Sequence, residues 1–277
     1  MANDRHTDGA RATDTTGTPD LAGRVAIVTG ASREIGAAMA TALARRGAAV
    51  LVAHHEEPAL ADATVEAIAR AGGRALAHDC DCSLVDANTA MIARAVEAFG
   101  RLDLFVANAG LTSWGAFLDY TEEAWDTVAN LNLKGSFFGA QAAARQMIAQ
   151  RAPGTIVFSS SIAGVQAIPF LSAYGATKAG LRHMARCLAL ELGPHRITVN
   201  AIGIGPTLNA RNLADDPAYD EHWGALLPAG RAARPDDIAD ALLYLARSTY
   251  VTGEILMVDG GWTIHSPTPT LDFATKR

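Results

Sequence analysis

Apolar residues in this chain fall into two kinds of run. Short, continuous ones occur at Val25–Thr29, Val50–Ala53, Ala75–Ala77, Leu104–Ala107, Ile156–Ser159, Ile197–Ala201 and Ile255–Val258. Between them lie longer stretches with helical spacing, near Ile35–Arg46, Leu60–Ala71, Val85–Phe99, Glu122–Gln150, Ser172–Leu192 and Pro235–Leu245. A strand that is apolar throughout is buried on both faces, and strands alternating with helices need that cover. The pattern predicts an α/β fold: a doubly wound parallel sheet of about seven strands with helices on both faces. Right-handed crossovers then bring the strand C-termini to one edge, where ligands bind. The series runs without linker or repeat, so a single domain over residues 21–265 is expected, between a flexible N-terminal tail (1–20) and a C-terminal tail (266–277). Gly203–Pro228 breaks the rhythm with Gly, Pro, Asn and Asp among scattered Leu and aromatic residues. A loop of that length in a compact domain predicts a lid or substrate-binding segment.

Composition narrows the function. About half of the 277 residues are hydrophobic, enough for a large core, and the net charge is −6 with acids and bases interspersed. No polybasic surface argues for nucleic acid, and no apolar run approaches the ~18 residues of a membrane span. The first twenty residues lack the apolar segment of a secretory signal. Three cysteines without framework spacing (Cys80, Cys82 and Cys187) suit a reducing, cytoplasmic setting. Cys80-Asp81-Cys82 has no partner His/Cys cluster, and adjacent His54 and His55 on a strand face opposite ways. No metal site is expected.

Two constellations carry chemistry. Thr29-Gly30-Ala31-Ser32-Arg33-Glu34-Ile35-Gly36 follows the first strand and opens the first helix. Backbone N–H groups at such a turn, with a helix N-terminus behind them, favour a bound pyrophosphate. Tyr174 and Lys178 stand four residues apart in a helical stretch and so share a face, with Ser161 closing the fifth strand-like run. A free tyrosine ionises near ~10. An ammonium at roughly 4 Å, in an effective dielectric of ~20, favours the phenolate by up to about 4 kcal/mol. The pair therefore reads as an acid/base device for neutral pH, and Ser161 as a hydroxyl that steadies a developing alkoxide.

These motifs together resemble the compact, single-domain branch of the short-chain dehydrogenase/reductase family. That branch carries Thr-Gly-x-x-x-Gly-x-Gly, an Asn-Ala-Gly after the fourth strand, a helical Asn, a Ser and Tyr-x-x-x-Lys; here they read Thr29–Gly36, Asn108-Ala109-Gly110, Asn132, Ser161 and Tyr174/Lys178. Asp81, Val199-Asn200-Ala201, Gly205-Pro206-Thr207, Tyr250-Val251-Thr252-Gly253 and Val258-Asp259-Gly260-Gly261 extend the match over residues 21–262. The resemblance implies a Rossmann-like sheet and hydride transfer between a nicotinamide dinucleotide and a ketone, aldehyde or secondary alcohol. By the same resemblance Gly30, Ser32, Arg33, Ile35 and Gly36 belong to the phosphate turn, His54 to the adenosine ribose, and Asp81 and Cys82 to the adenine edge. Asn108, Ala109 and Gly110 line the passage to the nicotinamide, Gly205 and Thr207 meet its carboxamide, and Lys178 binds its ribose. Tyr174 exchanges the proton, and Asn132 holds a water that connects Lys178 to solvent.

Three departures stand out: Glu34 at a glycine position of the phosphate turn, Ala107 for an Asn, and Ile204 for a Pro. The Glu34 side chain is expected to point to solvent. At the second strand's end, where relatives that prefer NAD place an Asp, the residue is His54, and Arg33 matches the basic residue that meets a 2′-phosphate. NADP(H) is therefore favoured over NAD(H), although Glu56 and Glu57 follow closely. Leu111, Thr112, Trp114, Val165, Ile168, Phe170, Leu208, Trp223 and Leu226 are the expected substrate pocket, a mostly apolar set. The resemblance includes both reductases of 3-oxoacyl thioesters and sugar dehydrogenases, and implies a homotetramer, or a dimer, assembled through the long helices. A non-catalytic nucleotide sensor is the contrasting reading; the intact Ser161, Tyr174, Lys178 and Asn132 set argues against it.

Overall fold

The computed structural model describes residues 20–265; the two tails expected from the sequence otherwise lie outside the described residues. The elements follow in the order β1 (Val25–Thr29), α1 (Glu34–Arg45), β2 (Ala49–His54), α2 (Pro58–Arg70), β3 (Arg74–Asp79), α3 (Val85–Phe99) and β4 (Leu104–Ala107). Then come α4 (Glu122–Ala129), α5 (Ser136–Ala149), β5 (Gly154–Ser161), α6 (Ser172–Leu192) and β6 (Ile197–Ile204). The short α7 (Ala210–Asp215) and α8 (Tyr219–Gly224), then α9 (Pro235–Arg247) and β7 (Ile255–Val258), complete the series.

All seven strands form one sheet in the order β3-β2-β1-β4-β5-β6-β7, every neighbouring pair parallel. Residue alternation along each strand divides the core into two layers. Ile27, Leu51, Phe105, Ile156, Phe158 and Val199 face the side covered by α3, α5 and α6. Ala26, Val28, Val50, Val52, Val106 and Val157 face α1 and α9 on the other. The direction of strand order reverses between β1 and β4. This is the switch point at which the crossovers part and leave a crevice beyond the strand C-termini.

Two elements differ from the sequence pattern. The helix expected across Glu122–Gln150 is interrupted by a π-helical turn, Asn130–Gly135. Apolar spacing survives one inserted residue, so periodicity does not register the bulge. The expected loop 203–228 starts later than predicted, because β6 runs through Ile204, and it carries α7 and α8. No helix among the described residues is long and apolar enough to cross a membrane.

Candidate active site

A small polar network fastens the strand ends that frame the crevice. Thr29 Oγ1 accepts hydrogen bonds from the Asn108 and Ala109 N–H groups, both at 2.9 Å. Asn108 Nδ2 returns to the carbonyls of Thr29 (3.0 Å) and Gly30 (3.2 Å), and Ser159 Oγ donates to Asn108 Oδ1 at 3.0 Å. The ends of β1, β4 and β5 are thus joined side by side. Gly30 has φ +61°, and a Cβ there would come within 3.0 Å of the Ala109 backbone. Only a glycine lets the two loops approach this closely.

Two cavities flank that waist and share Leu111 in their walls. One, of about 760 Å³, lies over β2 and β3 and is lined by Gly30, His54, Cys80, Asp81, Cys82 and Ala109, with Glu122, Glu123 and Asp126 on its far side. The other, of about 410 Å³, contains Arg33, Ile35, Asn108, Gly110, Ser161, Tyr174, Lys178, Gly205 and Thr207. An elongated molecule lying across the waist would reach both. The turn between β1 and α1 fits an anionic middle for it, because no side chain caps the N-terminus of α1 and its first N–H groups are free to bind one. A dinucleotide therefore fits the residues present. Among the described residues no group of three or more His, Cys, Asp or Glu could hold a metal ion.

At the reacting end, Lys178 is 5% exposed, and its Nζ donates to the Ser159 carbonyl at 2.8 Å while lying 5.5 Å from the centre of the Tyr174 ring. Burial lowers the Lys178 pKa from its ordinary value, and the neighbouring Tyr174 opposes that shift. Ser160 Oγ ties the Lys178 carbonyl to β5 at 2.8 Å, so helix and strand are held in register around the pair. Ser161 Oγ accepts from the Ala163 N–H at 3.2 Å, which leaves its proton available to the cleft. Asn132, fully buried, clamps the Asn-Ala-Gly loop: Oδ1 accepts from Leu111 N–H and Nδ2 donates to Leu111 O, each at 2.9 Å, with Thr177 Oγ1 at 3.3 Å. Its main-chain carbonyl accepts from Ser136 Oγ at 2.7 Å.

Other positions stand differently from the sequence reading. Gly36 is buried beneath the turn, where a Cβ would run into the Gly30 carbonyl, and does not line the cleft. Ser32 is also buried and donates to the Glu57 carboxylate, whose other oxygen lies 2.9 Å from Arg33 Nη2. Glu34 does not point to solvent. Its backbone has φ +53°, and Oε1 accepts the Ala210 N–H at 2.8 Å, bridging the phosphate turn to the first residue of α7. Of the expected substrate residues, Leu111 and Thr112 stand in the wall of the Tyr174 cleft and the others do not. Trp114 and Phe170 are 61% and 62% exposed, Ile168 and Leu208 are half-buried elsewhere, and Trp223 packs between Tyr219 and Trp262. Beside Thr112 stand Asn209, Arg211, Asn212 and Tyr219, which the sequence reading did not single out. Burial pushes the Tyr219 phenol up to about 12, so it remains a neutral hydrogen-bonding group. Hydropathy marked the apolar residues of the loop as pocket-forming, whereas Trp223 is used in an aromatic cluster with Tyr219 and Trp262.

Comparison with known proteins agrees with this geometry. The family described as enoyl-(acyl carrier protein) reductase matches residues 30–263. L-rhamnose 1-dehydrogenase (NAD(P)(+)) of Azotobacter vinelandii is 39% identical over 249 residues, covering 87% of this chain and 97% of that protein. This chain belongs to the short-chain dehydrogenase/reductase family. Another relative in the family, 2-dehydro-3-deoxy-D-gluconate 5-dehydrogenase of Escherichia coli K12, is 37% identical over 246 residues, covering 87% and 96% of the two chains. The crystal structure of a short-chain type dehydrogenase/reductase from Mycobacterium marinum superposes with a TM-score of 0.83 at 36% identity, over 89% of this chain and 98% of that one. As a short-chain dehydrogenase/reductase, the protein is an NAD(P)-dependent oxidoreductase acting on alcohol and carbonyl groups.

Proposed function

We propose that this short-chain dehydrogenase/reductase interconverts a hydroxyl and a carbonyl on a small polyhydroxylated molecule, a sugar or sugar acid. The observation that carries the proposal is the single cleft in which Ser161, Tyr174 and Lys178 open beside Thr112, Asn209, Arg211 and Asn212. Hydroxyl-bearing substrates need such donors and acceptors, since a polar group buried without a partner costs about 1–3 kcal/mol. Both sugar-type relatives point the same way. The nicotinamide supplies or accepts the hydride when bound. In oxidation Tyr174 takes the hydroxyl proton, and in reduction it returns it. Ser161 donates to the substrate oxygen as negative charge develops there. Lys178, held by Ser159, keeps a positive group beside the phenol and offers its remaining protons to the nicotinamide ribose. Asn132 is a positioning residue that fixes Gly110 and Leu111 against Lys178.

Tyr174→Phe is expected to abolish turnover of sugar substrates while leaving nucleotide binding nearly intact; Lys178→Ala is expected to damage both. Absorbance of the reduced nicotinamide and fluorescence titration measure the two quantities, and full turnover by either variant refutes the assignment.

The cofactor preference is also ours to infer. Arg33 favours NADP(H), as read from the sequence, and Glu57 keeps that preference small by occupying the guanidinium at 2.9 Å. The acidic wall formed by Asp81, Glu122, Glu123 and Asp126 works in the same direction. For assembly we propose a homotetramer, supported by Trp125, Phe137, Ile148 and Leu190 exposed on α4, α5 and α6. Three free cysteines support a cytoplasmic location.

A further inference from the structure

Cys80 and Cys82 take no part in the proton transfer described above, yet both residues belong to the wall of the larger cavity. The two Sγ atoms are 3.9 Å apart, and the Cys82 thiol also lies 3.8 Å from the Cys80 carbonyl. Both residues are buried in the protein; Cys80 lines this cavity, and Cys82 lines it and a much smaller one beside Thr29, Asn88 and Phe105. The hydrogen bond from Cys82 lowers the Cys80 pKa from the ordinary thiol value, and the same contact, with burial, raises that of Cys82. Cys80 is thus the sulfur that ionises, and Cys82 the proton donor beside it.

The main chain around the pair is held firmly. Cys80 N–H donates to the His54 carbonyl at 2.7 Å, and the Cys82 carbonyl accepts from Asn88 Nδ2 at 2.8 Å. Gly135 of the π-helical turn packs against that same carbonyl. A disulfide has a sulfur separation of about 2.05 Å, so the two atoms need to approach by roughly 1.9 Å. Side-chain rotation has to supply that approach if the backbone contacts are to hold. Asp81 lies within the ring that closes, so the cavity wall is re-formed at three successive residues.

We propose that Cys80 and Cys82 are an oxidation-sensitive dithiol that closes to a disulfide when the adenosine cavity is empty and then excludes the nucleotide. The consequence for binding rests on the assignment of this cavity to the adenosine half of the cofactor. With hydrogen peroxide as oxidant, the Cys80 thiolate attacks one peroxide oxygen. An S–O bond forms, the O–O bond breaks, and hydroxide leaves to become water. The Cys82 sulfur then loses its proton and attacks the Cys80 sulfur, forming S–S as S–O breaks and a second water departs. Two electrons pass from the sulfurs to the peroxide, and a dithiol reductant reverses the step by exchange. Bound nucleotide covers the wall and shields the pair.

The test uses full-length protein carrying Cys187→Ser, which removes the exposed third thiol. Reduced, nucleotide-free protein is treated with hydrogen peroxide, with and without NADH, then alkylated, digested and weighed. The peptide spanning Cys80 and Cys82 is expected to lose two hydrogens and escape alkylation, and NADH is expected to prevent this. Fluorescence titration should show NADH affinity falling at least about tenfold on oxidation, a change of about 1.4 kcal/mol, and recovering with dithiothreitol. Cys80→Ser and Cys82→Ser should each keep their nucleotide affinity through the same treatment. Both thiols still alkylated, a sulfinic acid in place of the disulfide, or unchanged NADH affinity after closure would each overturn the proposal. Failure of the reduced protein to bind either NADH or NADPH would sink the adenosine assignment instead, while the mass measurement still reports on the dithiol.

Discussion

Glu57 shows how one side chain reassigns its neighbours. Arg33 and Ser32 read from the sequence as groups waiting for a phosphate, because their spacing matches the family turn. In the folded chain Ser32 Oγ and the Arg33 guanidinium already share the two oxygens of Glu57, and the Glu57 N–H in turn rests on His54 Nδ1 at 3.3 Å. A 2′-phosphate must displace or repel that carboxylate, whereas a 2′-hydroxyl can donate to it. Glu57→Gln removes the charge and keeps the shape. It is expected to raise NADPH affinity about tenfold, near 1.4 kcal/mol, while changing NADH affinity much less. Parallel fluorescence titrations decide this, and an equal change for both nucleotides would remove Glu57 from the discrimination. Nothing in a string of letters ties Glu57 to Arg33, since the contact depends on how β2 ends and α2 begins. Glu34 is similar: its carboxylate meets Ala210, far along the chain, only because the start of α7 comes to rest beside the phosphate turn.

The π-helical turn between α4 and α5 is the element on which the site depends most. It carries Asn132 inward to Leu111 and Thr177, and it sets Gly135 against the Cys82 carbonyl. A methyl group at Gly135 would overlap that carbonyl, which is fixed by Asn88 and lies on a buried stretch of backbone. Gly135→Ala is therefore expected to destabilise the fold by about 1–3 kcal/mol, the usual range for overpacking. Urea denaturation of the variant beside the unaltered chain measures this; equal midpoints would show that the turn yields. The helix itself was legible, since apolar spacing spans the whole interval. The bulge was not, because inserting a residue into a long amphipathic stretch leaves that spacing nearly unchanged.

At the scale of the whole molecule, several large apolar residues are exposed. Trp125, Phe137 and Ile148 lie on the outer faces of α4 and α5, and the proposed homotetramer buries them. Phe137→Asp would place a charge in that contact and is expected to yield smaller species by light scattering at unchanged helix content; an unaltered assembly would relocate the interface. The sheet beneath needed no tertiary information to anticipate. Seven continuous apolar runs separated by helical ones leave little besides a parallel, helix-covered sheet, because buried backbone must pair and buried strands must be apolar on both faces. The Ser161, Tyr174 and Lys178 set was legible for a related reason: strand ends and helical turns carry side chains to places that short-range geometry specifies. What lines the cleft around that set was not. Trp114, Phe170 and Trp223 have the hydrophobicity of pocket residues, but their positions come from long-range packing of two loops. Arg211 and Asn212 look like ordinary loop surface until α7 folds over the cleft, and contacts between segments so distant along the chain leave no periodic trace.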